Sequence, residues 1–361
     1  NKARDGGAVP FFINAAFAKY IYFVNIKGKI AAVLFAAFMV SAPFWAVAGT
    51  ESAVPEGYKG VLTLWQVDGF EGGSGSRSAF LNGRAIEFEK SHPGVLVSVQ
   101  TYTCEQVRQK LLDGDRFDLI SFPVGTGQYV RRHLAVYDGA VNVRDDLLEG
   151  GKLGGDIYAV PWTLGGYALC AFDETLDGGV LTPETLADGK YTLGVGFWDY
   201  GNPFAALETA LPGGVKAWNG ETATSYGAYE SFLSGRCDVL LATQRDISRL
   251  KLRQSQGRLE SLSVYYLGGY TDLTQYIGYA DNGGGRGDYA KEFIQYLTSD
   301  AAQKKLTGIE MFSAALDIYS SGMHGEMQRA LDGRLTAVNV FTDGEILERK
   351  RGESMEAWRR G

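Results

Sequence analysis

Between residues 60 and 123 the chain changes its hydrophobic period repeatedly, and that alternation restricts the fold more than any other feature. Val61-Leu62-Thr63-Leu64-Trp65 reads as a strand; after a Gly and Ser loop, Phe80, Leu81, Ala85 and Phe88 share one helical face that ends at His92-Pro93-Gly94. Val95, Val97 and Val99 alternate as the next strand. Thr103 and Gln106 form a capping-box pattern opening a helix to Leu112, and residues 115–122 supply a third strand through Phe117, Leu119 and Ile120. Strands alternating with helices of this length imply a mainly parallel sheet flanked by helices. A second run of the same type follows: a helix Tyr226 to Ser234 stopped by Gly235, a strand Cys237 to Ala242, and a polar turn Thr243-Gln244-Arg245-Asp246 opening another helix. The fold class is α/β with two lobes, each a mainly parallel sheet flanked by helices. A chain of 361 residues with 45% hydrophobic content has enough apolar material for both.

Two extended, Gly-rich stretches read as crossings between the lobes. One is Tyr158-Ala159-Val160-Pro161-Trp162 with Gly165-Gly166-Tyr167, followed by a strand from Ala168 to Phe172. The other runs from Tyr265 to Gly278, before a helix with Ala290, Phe293, Ile294 and Leu297 on one face. The expected organisation is residues 1–58 as upstream segment, signal peptide and linker, 59–160 with 268–310 as the N-terminal lobe, and 161–267 with 311–361 as the C-terminal lobe. There is no internal repeat of fixed period.

Lys27 and Lys29 precede an apolar run, Ile30 to Val40, followed by Ser41-Ala42-Pro43 and by Ala46-Val47-Ala48 before Gly49. A basic start, a short apolar centre and small residues at a scissile end make a secretory signal. An uncleaved membrane anchor is the alternative, since apolar character extends to roughly the 20 residues that span a bilayer; Pro43 and the A-x-A ending favour cleavage. Export to the periplasm or cell surface is the expectation. Cys104, Cys170 and Cys237 are far apart and form no C-x-x-C pair, so neither a zinc knuckle nor a dithiol motif is available. They read as small buried side chains, with one disulfide as the alternative. None stands where a lipid-anchoring cysteine would, and the mature protein is expected to be a soluble monomer.

A net charge of −7 with 21% charged residues gives no electrostatic reason to bind nucleic acid. His92, His133 and His324 are scattered, and no H-E-x-x-H, G-x-S-x-G or P-loop spacing occurs. Asp281 to Glu292 has the length of a calcium loop, but Arg286 occupies the required glycine. Arg286-Gly287-Asp288 reads as a turn before a helix with Asp288 as its N-cap. No cofactor, metal or catalytic residue is expected.

Several phrases carry a family likeness. Arg84 to Val95 ends in F-E-K-S-H-P-G-V; Phe117-Asp118-Leu119-Ile120-Ser121 resembles a "PDL" strand, Tyr158 to Trp162 a "YAVPW" hinge, and Ser231 to Val239 an "F-x-x-G-K-A-A-M" segment. Ala290 to Leu306 with Ile309 to Ser313 resembles the "F-I-x-Y-L-T-S-x-x-A-Q" ending. In this order, from Gly60 to about Leu316, the chain resembles the extracellular solute-binding proteins of ABC importers, family 1, which include the maltose and oligosaccharide receptors. The resemblance implies a two-lobed periplasmic-binding-protein-like fold of type II with a hinge between the lobes, a small ligand that is a sugar or oligosaccharide, and ABC permease membrane subunits as partners. The segment after Leu316 departs from the pattern.

In open α/β sheets ligands sit beyond the carboxyl ends of the strands. That rule selects Gln66, Asp68, Glu71 and Arg77 after the first strand, Phe122 after the third, and Gln244, Arg245 and Asp246 in the second lobe. Trp162, Tyr167, Trp198, Tyr200 and Tyr270, with Asp272, complete the candidates, because sugar hydroxyls pair with polar groups while their C–H faces stack on rings. Trp65 reads as core; Arg245 and Asp246 have a mutual ion pair as their plainer reading. A binding protein for a polyamine, iron complex or organic anion stays open, as does a glycoside hydrolase, although no local pattern announces its carboxylate pair.

Overall fold

The structure is a computed structural model and describes residues 57–70, 73–187, 189–211, 219–315, 318, 322–336 and 338–360. The expected signal region and Glu71 lie outside the described residues. The chain runs through β1 (Gly60–Asp68), α1 (Arg77–Ser91), β2 (Val95–Thr103), α2 (Cys104–Leu112), β3 (Leu119–Pro123), α3 (Gly127–Val130), α4 (Asp145–Glu149), β4 (Lys152–Leu153), β5 (Asp156–Ile157) and β6 (Val160–Leu164). It continues with β7 (Tyr167–Phe172), β8 (Thr192–Phe197), α5 (Phe204–Ala210), β9 (Asn219–Thr224), α6 (Ser225–Leu233), β10 (Val239–Thr243), α7 (Gln244–Ser255) and β11 (Leu262–Tyr266). The last elements are β12 (Thr274–Tyr279), α8 (Arg286–Leu297), α9 (Asp300–Gln303), β13 (Phe312–Ser313), α10 (Gly322–Leu331) and α11 (Gly344–Arg360).

Two main sheets result, in the orders β13-β6-β12-β3-β1-β2 and β11-β7-β10-β8-β9, one for each lobe of a two-lobed α/β fold. β1 runs parallel to β2 and β3, and β8 parallel to β9 and β10, as alternating strands and helices require. The antiparallel members, β12, β6 and β13 in one sheet and β7 and β11 in the other, are largely strands next to the crossings. Residues 161–164 and 312–313, expected in the second lobe, belong to strands of the first sheet instead, so the first crossing falls at Gly165-Gly166.

Local chemistry explains the helix starts. Thr103 Oγ1 accepts from the Gln106 amide while Gln106 Oε1 accepts from the Thr103 amide, the expected capping box. Thr243 and Asp246 do the same for α7. α8 begins three residues earlier than expected: Gly285 caps it at φ 79°, a left-handed conformation open to glycine, and Asp288 lies in its first turn, where its charge complements the helix dipole.

The second sheet is buried on both faces. Along β7, Leu169 and Ala171 join one apolar cluster and Ala168 and Cys170 the other, and along β10 Val239 and Leu241 alternate with Leu240 and Ala242 in the same way. None of the three cysteines forms a disulfide; Cys170 and Cys237 are buried and Cys104 is half-buried. Among the described residues no helix is long and apolar enough to cross a membrane.

Candidate ligand-binding cleft

The crossings are tied to each other at Gly165. Its amide donates to Leu273 O at 2.7 Å, and its carbonyl accepts from Thr271 Oγ1 at 2.8 Å. The C-terminal segment joins them where the Thr336 amide donates to Gly269 O at 2.8 Å. These bonds make a narrow waist from which the loops after β1, β3, β8 and β10 face one another.

On the first lobe, Gln66 at the end of β1 is buried, and its Nε2 donates to Val67 O at 3.0 Å and to Asp68 Oδ1 at 3.1 Å. Arg77, only 4% exposed, reaches the same Asp68 oxygen at 3.2 Å and Phe70 O at 2.5 Å, with its guanidinium 4.2 Å from the centroid of the Phe70 ring. Gln275 on β12 also donates to Val67 O, at 2.9 Å, and to Ser121 Oγ at 3.1 Å. Gln66 Oε1, Gln275 Oε1, Arg77 Nη1 and Thr126 Oγ1 are buried without a hydrogen-bond partner, as is Asn202 Oδ1 from the second lobe. Leaving such groups unpaired costs roughly 1–3 kcal/mol each, which a polar ligand or water in the seam would recover.

The second lobe contributes the loop after β8. Trp198 stacks on Tyr167 at 5.9 Å and 14°, and its other neighbour is Phe70 from the opposite lobe at 6.4 Å. Tyr200 adopts φ 59° and lies against Gly125 of the first lobe, where a Cβ would fall 2.2 Å from Tyr200 Cδ2. Arg351 on α11 fastens this loop: Nη1 donates to Trp198 O at 2.6 Å and to Gly201 O at 3.0 Å, with the guanidinium 4.5 Å from the Phe197 ring centroid.

At the start of α7, Gln244 is buried; its Oε1 accepts from the Gly166 amide at 3.1 Å and its Nε2 points to Met311 Sδ at 3.3 Å. Met311 Sδ also receives the Gly73 amide at 3.2 Å, so the thioether joins the two walls. Asp246 accepts from the amide and hydroxyl of Thr243 at 2.9 and 3.0 Å and so takes part in capping α7. Arg245 lines a groove with Ser74 and Glu310.

Asp272 is buried at the waist and accepts from Tyr167 at 2.6 Å, Tyr270 at 3.0 Å and the Asn202 amide at 2.6 Å. Burial raises its pKa, and those three donors oppose the rise. Burial also pushes both tyrosines well above the usual phenol value, the Asp272 charge adding to it.

Gln66, Asp68, Arg77, Tyr167, Trp198, Tyr200, Gln244, Arg245, Tyr270 and Asp272 thus gather at the seam or its waist. Trp162 does not: it is buried in the first lobe, stacked on Phe80 at 5.6 Å, with Nε1 bonded to Ser121 Oγ at 2.9 Å. Phe122 is likewise buried, beside Phe341 at 6.0 Å. Sequence reasoning missed Phe70, Thr126, Gln275 and Arg351. Gln275 left a signal, a polar amide in the extended run before Tyr276-Ile277-Gly278-Tyr279; the role of Arg351, carried by a helix distant in sequence, left none. Among the described residues no group of three or more His, Cys, Asp and Glu is placed to hold a metal ion.

No family model matches the chain, and no curated protein matches it either. Solved structures do. The sugar-binding protein MalE from Xanthomonas citri aligns with a TM-score of 0.62 at 13% identity over 84% of this chain and 93% of its own. The fold is that of the solute-binding receptors. The GacH receptor of Streptomyces glaucescens, solved unliganded and with acarbose, gives 0.58 at 16% identity over 83% and 93%. The Trichodesmium FutA protein in complex with iron and citrate gives 0.56 at 12% over 83% and 99%. The first two are receptors of the kind that the hinge and strand phrases resemble, and at these identities the likeness is one of fold.

Proposed function

We propose that this chain is the exported binding subunit of an ABC importer, which captures a saccharide between its lobes by closing about the Gly165–Leu273 waist and then presents the closed form to membrane permease subunits. The observation that carries this reading is the composition of the seam. A half-buried Trp198 ring stands between Phe70 and Tyr167, and the same walls hold buried polar atoms with no hydrogen-bond partner: Gln66 Oε1, Gln275 Oε1, Arg77 Nη1, Thr126 Oγ1 and Asn202 Oδ1. Rings that accept C–H faces, surrounded by groups seeking hydrogen bonds, suit a polyol. A ligand touching both walls binds the closed form better and shifts the hinge equilibrium toward it.

A thermal-shift screen over mono- and oligosaccharides, polyamines and ferric citrate tests the reading, because a ligand bound only to the folded state raises the melting temperature by mass action. The expected result is a rise with at least one saccharide, lost in Trp198→Ala, and no release of reducing sugar. A rise confined to polyamines or ferric citrate would refute the saccharide, and hydrolysis would point to an enzyme.

A further inference from the structure

The last helix is fastened to both lobes. After the Thr336 amide has bonded to Gly269 O at the waist, residues 339–341 lie on the first lobe: the Val340 amide donates to Gly150 O at 2.8 Å, Asn339 Nδ2 donates to Lys152 O at 2.8 Å, and the Phe341 ring stands 6.0 Å from that of Phe122. Gly344 then opens α11 where the two lobes touch, since a Cβ there would fall 2.9 Å from Gly125 Cα and 3.5 Å from Tyr200 Cδ1. Farther along, α11 holds to the second lobe. Ser354 Oγ donates to Glu208 Oε1 of α5 at 2.6 Å, and Arg351 Nη1 donates to Trp198 O at 2.6 Å and to Gly201 O at 3.0 Å.

The grip of Arg351 passes to an aromatic ring. Trp198 folds back over its own turn, so that a Cβ on Gly201 would fall 2.4 Å from Trp198 Nε1. Whatever fixes the backbone at 198 and 201 therefore fixes the indole as well, and Arg351 Nη1 carries two N–H groups for the two carbonyls. The Arg351 side chain is 11% exposed and its guanidinium lies 4.5 Å from the Phe197 ring centroid, so water competes weakly for those bonds. We infer that Arg351 is a positioning residue of the cleft: through it α11 holds the Trp198 ring at the place where the ring meets the ligand, and because α11 is fastened to both lobes, its seating and the closing of the cleft are one equilibrium. The inference rests on the reading of the seam as a saccharide cleft and adds to it a residue that acts through another. Linkage makes the effect reciprocal, since a loosened α11 weakens the ligand and bound ligand tightens α11.

Acrylamide quenching of Trp198, read without ligand as the difference between each protein and its Trp198→Phe counterpart, tests the hold on the ring. Arg351→Ala is expected to raise that quenching about twofold as the ring leaves its fixed place. Arg351→Lys, whose ammonium keeps the charge and a donor for one carbonyl, should recover part of it. Titration with maltotriose, acarbose and lacto-N-biose then tests the effect on affinity. For a sugar that wild type binds, Arg351→Ala and Gly344→Ala, which crowds Gly125, should bind about tenfold more weakly, the worth of one stacking contact. Arg349→Gln, whose side chain is exposed and pairs with Glu353, should bind as wild type does. Saturating sugar should slow deuterium exchange over residues 348–355 about threefold. Unchanged quenching in both Arg351 variants overturns the inference and leaves the cleft reading standing; so does full affinity kept in Arg351→Ala. Should the alanine variant fail to fold, Arg351→Lys decides by the same two readouts, with smaller changes expected. Where wild type binds none of the three sugars, it is the saccharide reading that fails, and quenching alone upholds or overturns the hold on the ring.

Discussion

The phenol of Tyr167 donates to Oδ1 of Asp272 at 2.6 Å and so ties the first strand of the second lobe to the returning crossing. Asp272 takes the Asn202 amide on its other oxygen at 2.6 Å, and one buried carboxylate thereby fixes the waist and the root of the loop that carries Trp198.

That carboxylate makes stability depend on pH. Burial raises its folded-state pKa against the pull of Asn202, Tyr167 and Tyr270. An acid with a raised folded pKa holds its proton more firmly in the folded than in the unfolded chain. Its contribution therefore falls as pH rises from the ordinary carboxylate range through the raised value, by no more than about 1.4 kcal/mol per pH unit. Urea unfolding from pH 4 to 8 should show wild type losing ground against Asp272→Asn as pH rises; parallel profiles would rule this out.

Trp162, stacked on Phe80 and bonded to Ser121, belongs to the core of the first lobe. Trp162→Ala should lower the unfolding free energy by about 3–5 kcal/mol. Trp162→Phe, which keeps a ring on Phe80 but loses the hydrogen bond, should cost about 1–2 kcal/mol. Denaturant midpoints decide it, and a mild effect of the alanine would place the ring outside the core.

Gly125 has φ 93° and no room for a side chain beside Tyr200. Gly154 has φ 62° with nothing within 4 Å of the added carbon. Both alanine variants suffer backbone strain of about 1–2 kcal/mol, and Gly125→Ala must also displace Tyr200. A larger loss of stability in Gly125→Ala measures the contact between the walls; equal losses would deny it.

Arg351 closes off two carbonyls of the Trp198–Gly201 turn. In Arg351→Ala the Gly201 amide, which donates to Trp198 O at 3.3 Å, should exchange with deuterium about tenfold faster, while amides of α8 keep their rates. Unchanged exchange at Gly201 would mean that the turn holds itself.

The β-α-β-α-β run, the capping residues Thr103, Gln106 and Thr243, and the glycines at the first crossing were legible because each is a local signal: hydrophobic period, side-chain oxygen placement, or backbone freedom. Half of the seam was legible too, since residues at the carboxyl ends of parallel strands must face the same crevice. Phe122 was drawn in by the same rule and Trp162 for its aromatic ring, although both are buried in the first lobe. A strand's local pattern tells which residues share a face and leaves open which face looks at the cleft.

Sequence by itself therefore determined the alternation of elements, the two-lobed α/β plan and the loops eligible for a ligand, because these depend on the chain's own periodicity and caps. Tertiary structure alone decided that Phe70 and Trp198 approach at 6.4 Å and that Arg351 from the last helix holds the loop of Trp198. Such contacts join residues more than a hundred positions apart. They arise only when two sheets, each folded for local reasons, are brought face to face by a shared waist.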